Sequence, residues 1–237
     1  MELKGSYGTA KVFTDKLEDG AKEQIISLLN QSFIEGSKVR IMPDVHQGIG
    51  CVIGFTADMG DKVIPNIVGV DIGCGILSVE LGNMDIDLAS LDNIIYSKIP
   101  SGNKVHSKEL YRFDQLEELY CYGDLKELKR IKRSIGSLGG GNHFIELAVD
   151  EDNNKYLTIH SGSRNLGKQV ALIYQKLAVN LCTSHEKTAI IPKELCYLTG
   201  TYRERYLNDM KICQEYASLN RKVMAEIILT SLFKKSL

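Results

Sequence analysis

A chain of 237 residues, 43% apolar and 25% charged with a formal net charge of −1, is long enough for a real hydrophobic core and ordinary in composition. Near-neutral charge excludes a generally basic nucleic-acid surface and leaves room only for a local basic pocket. No stretch approaches 18 uncharged apolar residues, the beginning MELKGSYGTAKVF lacks a signal-type apolar core, and the six cysteines include no CxxC pair, so a membrane span and a disulfide framework are not expected and the cytoplasm is the expected compartment.

Residues 1 to 14 read as extended, with a short strand over Lys11–Thr14. Ala21, Ile25, Leu28 and Leu29 recur at helical spacing, which predicts a helix over Asp19–Phe33 ended by Gly36. Val39–Met42 is a short strand, and Pro43 is expected to stop it. From Met42 to Gly60, Asp44 and His46 stand two apart ahead of several glycines. On an extended segment they share a face, suited to orienting a metal ligand, relaying a proton or touching phosphate; a surface turn explains them equally well.

An apolar run then leads into Asp71-Ile72-Gly73-Cys74-Gly75. A carboxylate and a thiol three residues apart between glycines fit one ion of borderline softness, and a thiolate can bridge two; taken alone, the stretch also fits a capped turn with a buried cysteine. A strand over Ile76–Leu81 and a helix over Leu88–Ser97 follow, and residues 100–135 read as one or two solvated helices with a basic cluster at Lys129, Arg130, Lys132 and Arg133.

Three glycines, 139–141, precede Asn142 and His143 and suit an anion-binding turn. Phe144 to Val149 and Tyr156 to Ile159 predict a hairpin, delivering His160 into Ser161-Gly162-Ser163-Arg164. His143 opens one strand and His160 closes the other, so antiparallel pairing brings the two imidazoles together. The serine hydroxyls and the Arg164 fork suit phosphate oxygens. A helix over Leu166–Leu181 follows. A long amphipathic helix over Thr201–Phe233 carries Tyr206, Met210, Cys213, Ala217, Asn220, Met224 and Ile227 as a packing stripe.

Asp71, Cys74, His143 and His160 thus form a mixed donor set suited to Zn, Mn, Co or Fe. Metal-assisted phosphoryl or nucleotidyl transfer, metal-dependent hydrolysis and a Cys74 nucleophile all fit it, as does a structural metal clip. The fold class expected is mixed α+β, strands with glycine-rich turns around one site and flanking helices.

Four segments, MPDVHQGIG, NIVGVDIGCG, GSLGGGNHFIEL and IHSGSRNLG, resemble successive motifs of the RtcB family, the GTP-dependent tRNA-splicing RNA ligases, and TYRERYLNDMKICQEYASLNRKVMAEII resembles the family's long helix. The resemblance implies joining of RNA 2′,3′-cyclic phosphate or 3′-phosphate ends to 5′-hydroxyl ends with GTP and two Mn2+ ions, and in some organisms an archease-type activator. By motif it implies Asp71, Cys74 and His143 on one ion, and Cys74 and His160 on the other. It places Asn142, His143, Phe144, Ile145 and Glu146 at the guanine nucleotide, Arg164 on RNA phosphate, and Asp44 and His46 in supporting roles. It corresponds to the N-terminal part of a typical member, so one RtcB-like domain over 1–237 is expected to be incomplete. Neither His106 nor His185 matches the histidine that the family guanylylates. The expectation is a chain without a complete ligation cycle of its own; a silent metal-binding module and a metal-dependent phosphoesterase are the alternatives.

Overall fold

The structure, a computed structural model, describes residues 1–185 and 191–233, and over them the chain is mixed α/β with two sheets. It divides into two compact units, Met1–Gly69 with Ala171–Tyr206 and Val70–Val170 with Leu207–Leu237. In the first unit, β1 (Glu2–Lys4), β2 (Thr9–Val12), β3 (Lys38–His46) and β4 (Ile53–Asp58) form a sheet in that order. β2 and β3 pair in parallel, a connection that needs a crossover, and α1 (Asp19–Leu29) supplies it. Ala21, Ile25, Leu28 and Leu29 are fully buried in one cluster with Ala10, Val12, Val39 and Ile41 of the strands. The predicted helix divides at its C-terminal end: α1 closes at Leu29, and Ser32–Ile34 is a separate 3-10 turn.

Pro43 does not stop β3. The strand continues to His46 because the ladder with β4 is irregular between Ile41 and His46, where a missing N–H forfeits no regular pairing.

The second unit holds a three-stranded antiparallel sheet of order β5-β7-β6, from β5 (Gly75–Gly82), β6 (Phe144–Val149) and β7 (Lys155–Ser161). Its register sets Ile76, His160 and Phe144 side by side. Side chains alternate across a sheet. Leu77, Val79, Ile145, Leu147, Leu157 and Ile159 therefore face one way, into a core with Leu91 of α3 (Leu88–Lys98) and Met224 and Ile228 of α6 (Gly200–Phe233). The opposite face carries His160, Phe144, Ser78, Thr158 and Glu146, with Ile76 63% exposed. The remaining helices are α2 (Pro65–Val68), α4 (Leu128–Lys132) and α5 (Arg164–His185).

Residues 100–135 are not the one or two solvated helices expected of them. Only α4 is helical beyond 3-10 turns, and Leu116, Leu119, Cys121, Leu125, Ile131 and Ile135 are buried. Tertiary bonds replace helical ones there: the buried Asp209 carboxylate accepts from the backbone N–H of Tyr120 and of Cys121, and the buried Tyr216 hydroxyl donates to the Ile131 carbonyl.

Candidate metal centre

The sheet topology decides which side chains meet. Cys74 immediately precedes β5, His143 immediately precedes β6, and His160 lies near the end of the central antiparallel β7. All three arrive at one end of one sheet, and Asp71 joins them through a tight turn in which the Cys74 N–H donates to the Asp71 carbonyl.

Missing side chains make room for these groups. Gly73 has φ +79°, and a Cβ there would stand 2.9 Å from both the Ala217 Cβ and the Gln214 Cα of α6. A Cβ on Gly162 would lie 2.1 Å from Asp71 Oδ1, so the carboxylate sits against bare backbone.

The Asp71, Cys74 and His143 ligand atoms all lie within 4.8 Å of one another. His143 Nε2 is 2.7 Å from Asp71 Oδ2 and 3.8 Å from Cys74 Sγ, and Cys74 Sγ is 2.9 Å from His160 Nε2. The thiol therefore lies between two imidazole nitrogens, with the rings edge to face at 5.5 Å between centroids. His143 Nδ1–H donates to the Leu138 carbonyl at 2.9 Å, which leaves Nε2 as the basic nitrogen. A lone pair facing a carboxylate oxygen at 2.7 Å is repulsive unless positive charge lies between them, either a proton on Nε2 or a metal ion in its place. The donor set, one carboxylate, one thiol and two imidazoles, suits a divalent ion of borderline softness and fits the second option.

Charge reinforces that fit. Burial pushes the Asp71 carboxyl up, but the His143 hydrogen bond and charge, a hydrogen bond from Cys74 and the Arg164 guanidinium outweigh it and hold the group below the usual carboxylate range. Burial, with the charge and hydrogen bond of Asp71, pushes the Cys74 thiol up to about 11 against the opposing Arg221 guanidinium. A thiol so reluctant to ionise becomes a ligand when a cation offsets the neighbouring carboxylate.

Within Asn142–Glu146, Asn142 is exposed, Phe144 lies edge to face with His160 at 5.3 Å, and Glu146 is exposed on the same face. The Ile145 side chain packs into the core on the other face of the sheet, so only its backbone remains for a ligand on the site side. Ser161 and Ser163 are fully buried, contrary to the phosphate-facing roles expected of them, and Ser161 donates to the Leu138 carbonyl. Arg164 adopts φ +59°, donating through Nε to Ser137 Oγ and through Nη2 to the Gly102 carbonyl. Asp44 and His46 belong to the first unit and are exposed; His46 Nδ1–H donates to the backbone carbonyl of Asp44 rather than to its carboxylate. His106 Nε2–H donates to the Gly136 carbonyl, and the side chain of His185 lies outside the described residues.

Two residues that the sequence did not single out for the site hold it together. Asn220, fully buried on α6, accepts from the N–H groups of Gly136 and Ser137 and donates to the Ser137 carbonyl, Ser161 Oγ and the Gly162 carbonyl. Arg221 beside it donates through Nη1 to the Gly73 and Ser161 carbonyls. Together they tie the backbones that carry Cys74, His143 and His160 to one helix. The available signal was an amide inside an otherwise apolar helical stripe, since a buried polar side chain requires partners.

The sequence model of a family described as tRNA-splicing ligase RtcB matches residues 24–124 and 122–237. The RNA-splicing ligase RtcB of Escherichia coli strain K12 is 32% identical over 240 residues, covering 91% of this chain and 58% of that protein. The tRNA-splicing ligases RtcB of Nanoarchaeum equitans and Methanococcus maripaludis are 28% and 25% identical, with 89% and 100% of this chain and 56% and 61% of theirs covered. The chain thus spans under two thirds of the length of these relatives.

Proposed function

The chain belongs to the RtcB family, and from that premise we propose that it serves RNA joining, as the RNA- and tRNA-splicing ligases it resembles are named to do. The observation that carries the reading is the Cys74 thiol set between two imidazole nitrogens with Asp71 against one of them. Asp71, Cys74 and His143 would hold one divalent ion, and Cys74 with His160 would contribute to a second. The resemblance implies Mn2+ for both. Bound there, such ions supply Lewis acidity to phosphate oxygens and lower the pKa of an attacking hydroxyl.

The protein's own groups have definable tasks in this reading. His143, its tautomer fixed by the Leu138 carbonyl, presents Nε2 without rotating. Phe144 walls one side of His160, and Asn142 and Glu146 offer polar contacts to a guanine nucleotide. Arg164 is anchored to neutral oxygens and keeps its charge available for an RNA phosphate. GTP as the nucleotide, 2′,3′-cyclic phosphate or 3′-phosphate and 5′-hydroxyl RNA ends, supporting roles for Asp44 and His46, an archease-type activator and a cytoplasmic setting belong to the same proposal. It takes residues 1–237 as the N-terminal part of one family domain. Among the described residues no helix is long and apolar enough to cross a membrane.

The test is metal content by mass spectrometry after equilibration with Mn2+, for the wild type and Cys74→Ala. The wild type should retain the ion and Cys74→Ala should lose most of it; equal content in both would remove the bridging role. Incubation with radiolabelled GTP and Mn2+ tests whether the 237-residue chain carries out the nucleotide step by itself. The expected result for the 237-residue chain is metal binding without a stable GMP adduct, and an adduct would overturn that expectation.

A further inference from the structure

Within the second unit, beside the metal centre, lies a polar cleft of about 330 Å3, at the small end of the range for ligand-binding clefts. Arg164 and Lys168 line it from α5 and Arg130 lines it from α4, with Glu127 the only carboxylate in the lining. Arg164 opens α5 and Lys168 lies four residues on, and both line the cleft. Three cations against one carboxylate leave the lining at +2. Among the described residues none of the three cations forms a salt bridge.

The two guanidiniums are anchored without being neutralised. Arg130 donates to the Asn103 carbonyl, and Arg164 to the Gly102 carbonyl and the Ser137 hydroxyl. Burial first, then the charge of Arg130, pull the Arg164 pKa down, while Tyr216 and Asp71 act the other way. Holding like charges together in a partly desolvated cleft is unfavourable, and an anion between them relieves it.

We propose that this cleft is a second phosphate subsite, in which Arg130 and Lys168 join Arg164 in gripping a backbone phosphate of the RNA strand whose reacting end lies at the metal centre. The proposal rests on the RNA-joining reading. It adds two residues that none of the four motif segments brings to RNA phosphate, Arg130 on α4 and Lys168 four residues into α5. Arg164 links the two sites, because its charge acts on both Asp71 and the Arg130 cluster.

The experiment measures binding of a short single-stranded RNA ending in a 3′-phosphate to the 237-residue chain with Mn2+, across a series of salt concentrations. The proteins are the wild type, Arg130→Gln, Lys168→Gln and, as an equal charge change on the exposed part of α6, Lys211→Gln. Each cleft variant should weaken binding about three- to tenfold at low salt and flatten the slope of log affinity against log salt by about 0.7, the value for one phosphate contact on a single strand. Lys211→Gln should do neither, and bound Mn2+ and melting temperature should match the wild type in all three variants. If the wild type binds RNA and both cleft variants keep its slope, the subsite is wrong and the RNA-joining reading survives. If the variants lose affinity for GTP instead of RNA, the cleft serves a nucleotide and the assignment is overturned. No RNA binding by the wild type would overturn the RNA-joining reading and this inference together.

Discussion

Asn220→Leu removes the amide that ties the centre to α6 while keeping the branched outline of the side chain. The native side chain is fully buried and accepts from two backbone N–H groups, Gly136 at 2.8 Å and Ser137 at 3.1 Å. Leucine can accept from neither, and no water replaces the lost partner where the bonds are buried. A buried donor left unpaired costs about 1–3 kcal/mol, so two such donors predict a loss of about 4 kcal/mol, a large share of an ordinary domain's stability. The glycine turn that positions His143 begins at these amides, so Mn2+ affinity should fall with stability. Urea unfolding followed by circular dichroism gives the first quantity, and hydrogen exchange at Gly136 and Ser137 localises it. A loss under about 1 kcal/mol, with both amides still protected, would refute the reasoning. Asn220→Asp separates donor from acceptor roles: it keeps the two accepted bonds but faces the Ser137 and Gly162 carbonyls with oxygen.

Cysteine alkylation at pH 8 should modify Cys74 before Cys51, because Cys74 is exposed whereas burial pushes the buried Cys51 up to about 12. Cys74 should still react about a hundredfold more slowly than a thiol of ordinary pKa, since a rise to about 11 cuts its thiolate fraction by that factor, and Mn2+ should suppress its labelling in a peptide-mass assay. Arg221→Met should weaken metal binding by about tenfold, the scale of a lost supporting contact, while leaving the four donors in place; unchanged affinity would relieve Arg221 of that task. Gly162→Ala should abolish metal retention, because its Cβ would fall 2.1 Å from Asp71 Oδ1. Burial pushes the Tyr216 hydroxyl well above its ordinary value, more than the Arg164 charge lowers it. Its contribution is complete below the unfolded tyrosine pKa near 10 and lost as pH rises through the folded value, so Tyr216→Phe should flatten alkaline unfolding followed at the tyrosinate absorbance.

The long C-terminal helix was legible because its packing stripe recurs for about six turns, from Tyr206 to Ile227; the reading Thr201–Phe233 differs from α6 by one residue. The Phe144–Ser161 hairpin was legible too, since alternating apolar residues flank a turn of five polar residues, and the hairpin alone predicts that His143 and His160 converge. Residues 100–135 were misread because their charges look solvent-directed, while the partners that order them, Asp209 and Tyr216, lie about ninety residues along the chain. Pro43 misled for a related reason: whether a strand tolerates proline depends on the partner's register, which no local pattern encodes. Asn220 was visible as part of a stripe, yet its five bonds reach loops that only the folded sheet brings to it.

The spacing of the donors also sets a schedule for biosynthesis. Cys74 is 69 residues from His143 and 86 from His160, and the helix that ties their backbones enters at Asn220 and Arg221. A ribosome releasing the chain from its N-terminus exposes Asp71 and Cys74 long before any imidazole of the centre exists, and the anchoring amide emerges later still. Contacts this distant form late in folding. Were an ion bound there, its donors would be held in place only once Asn220 and Arg221 had docked, so metal uptake would report on the folding of the second unit rather than seed it.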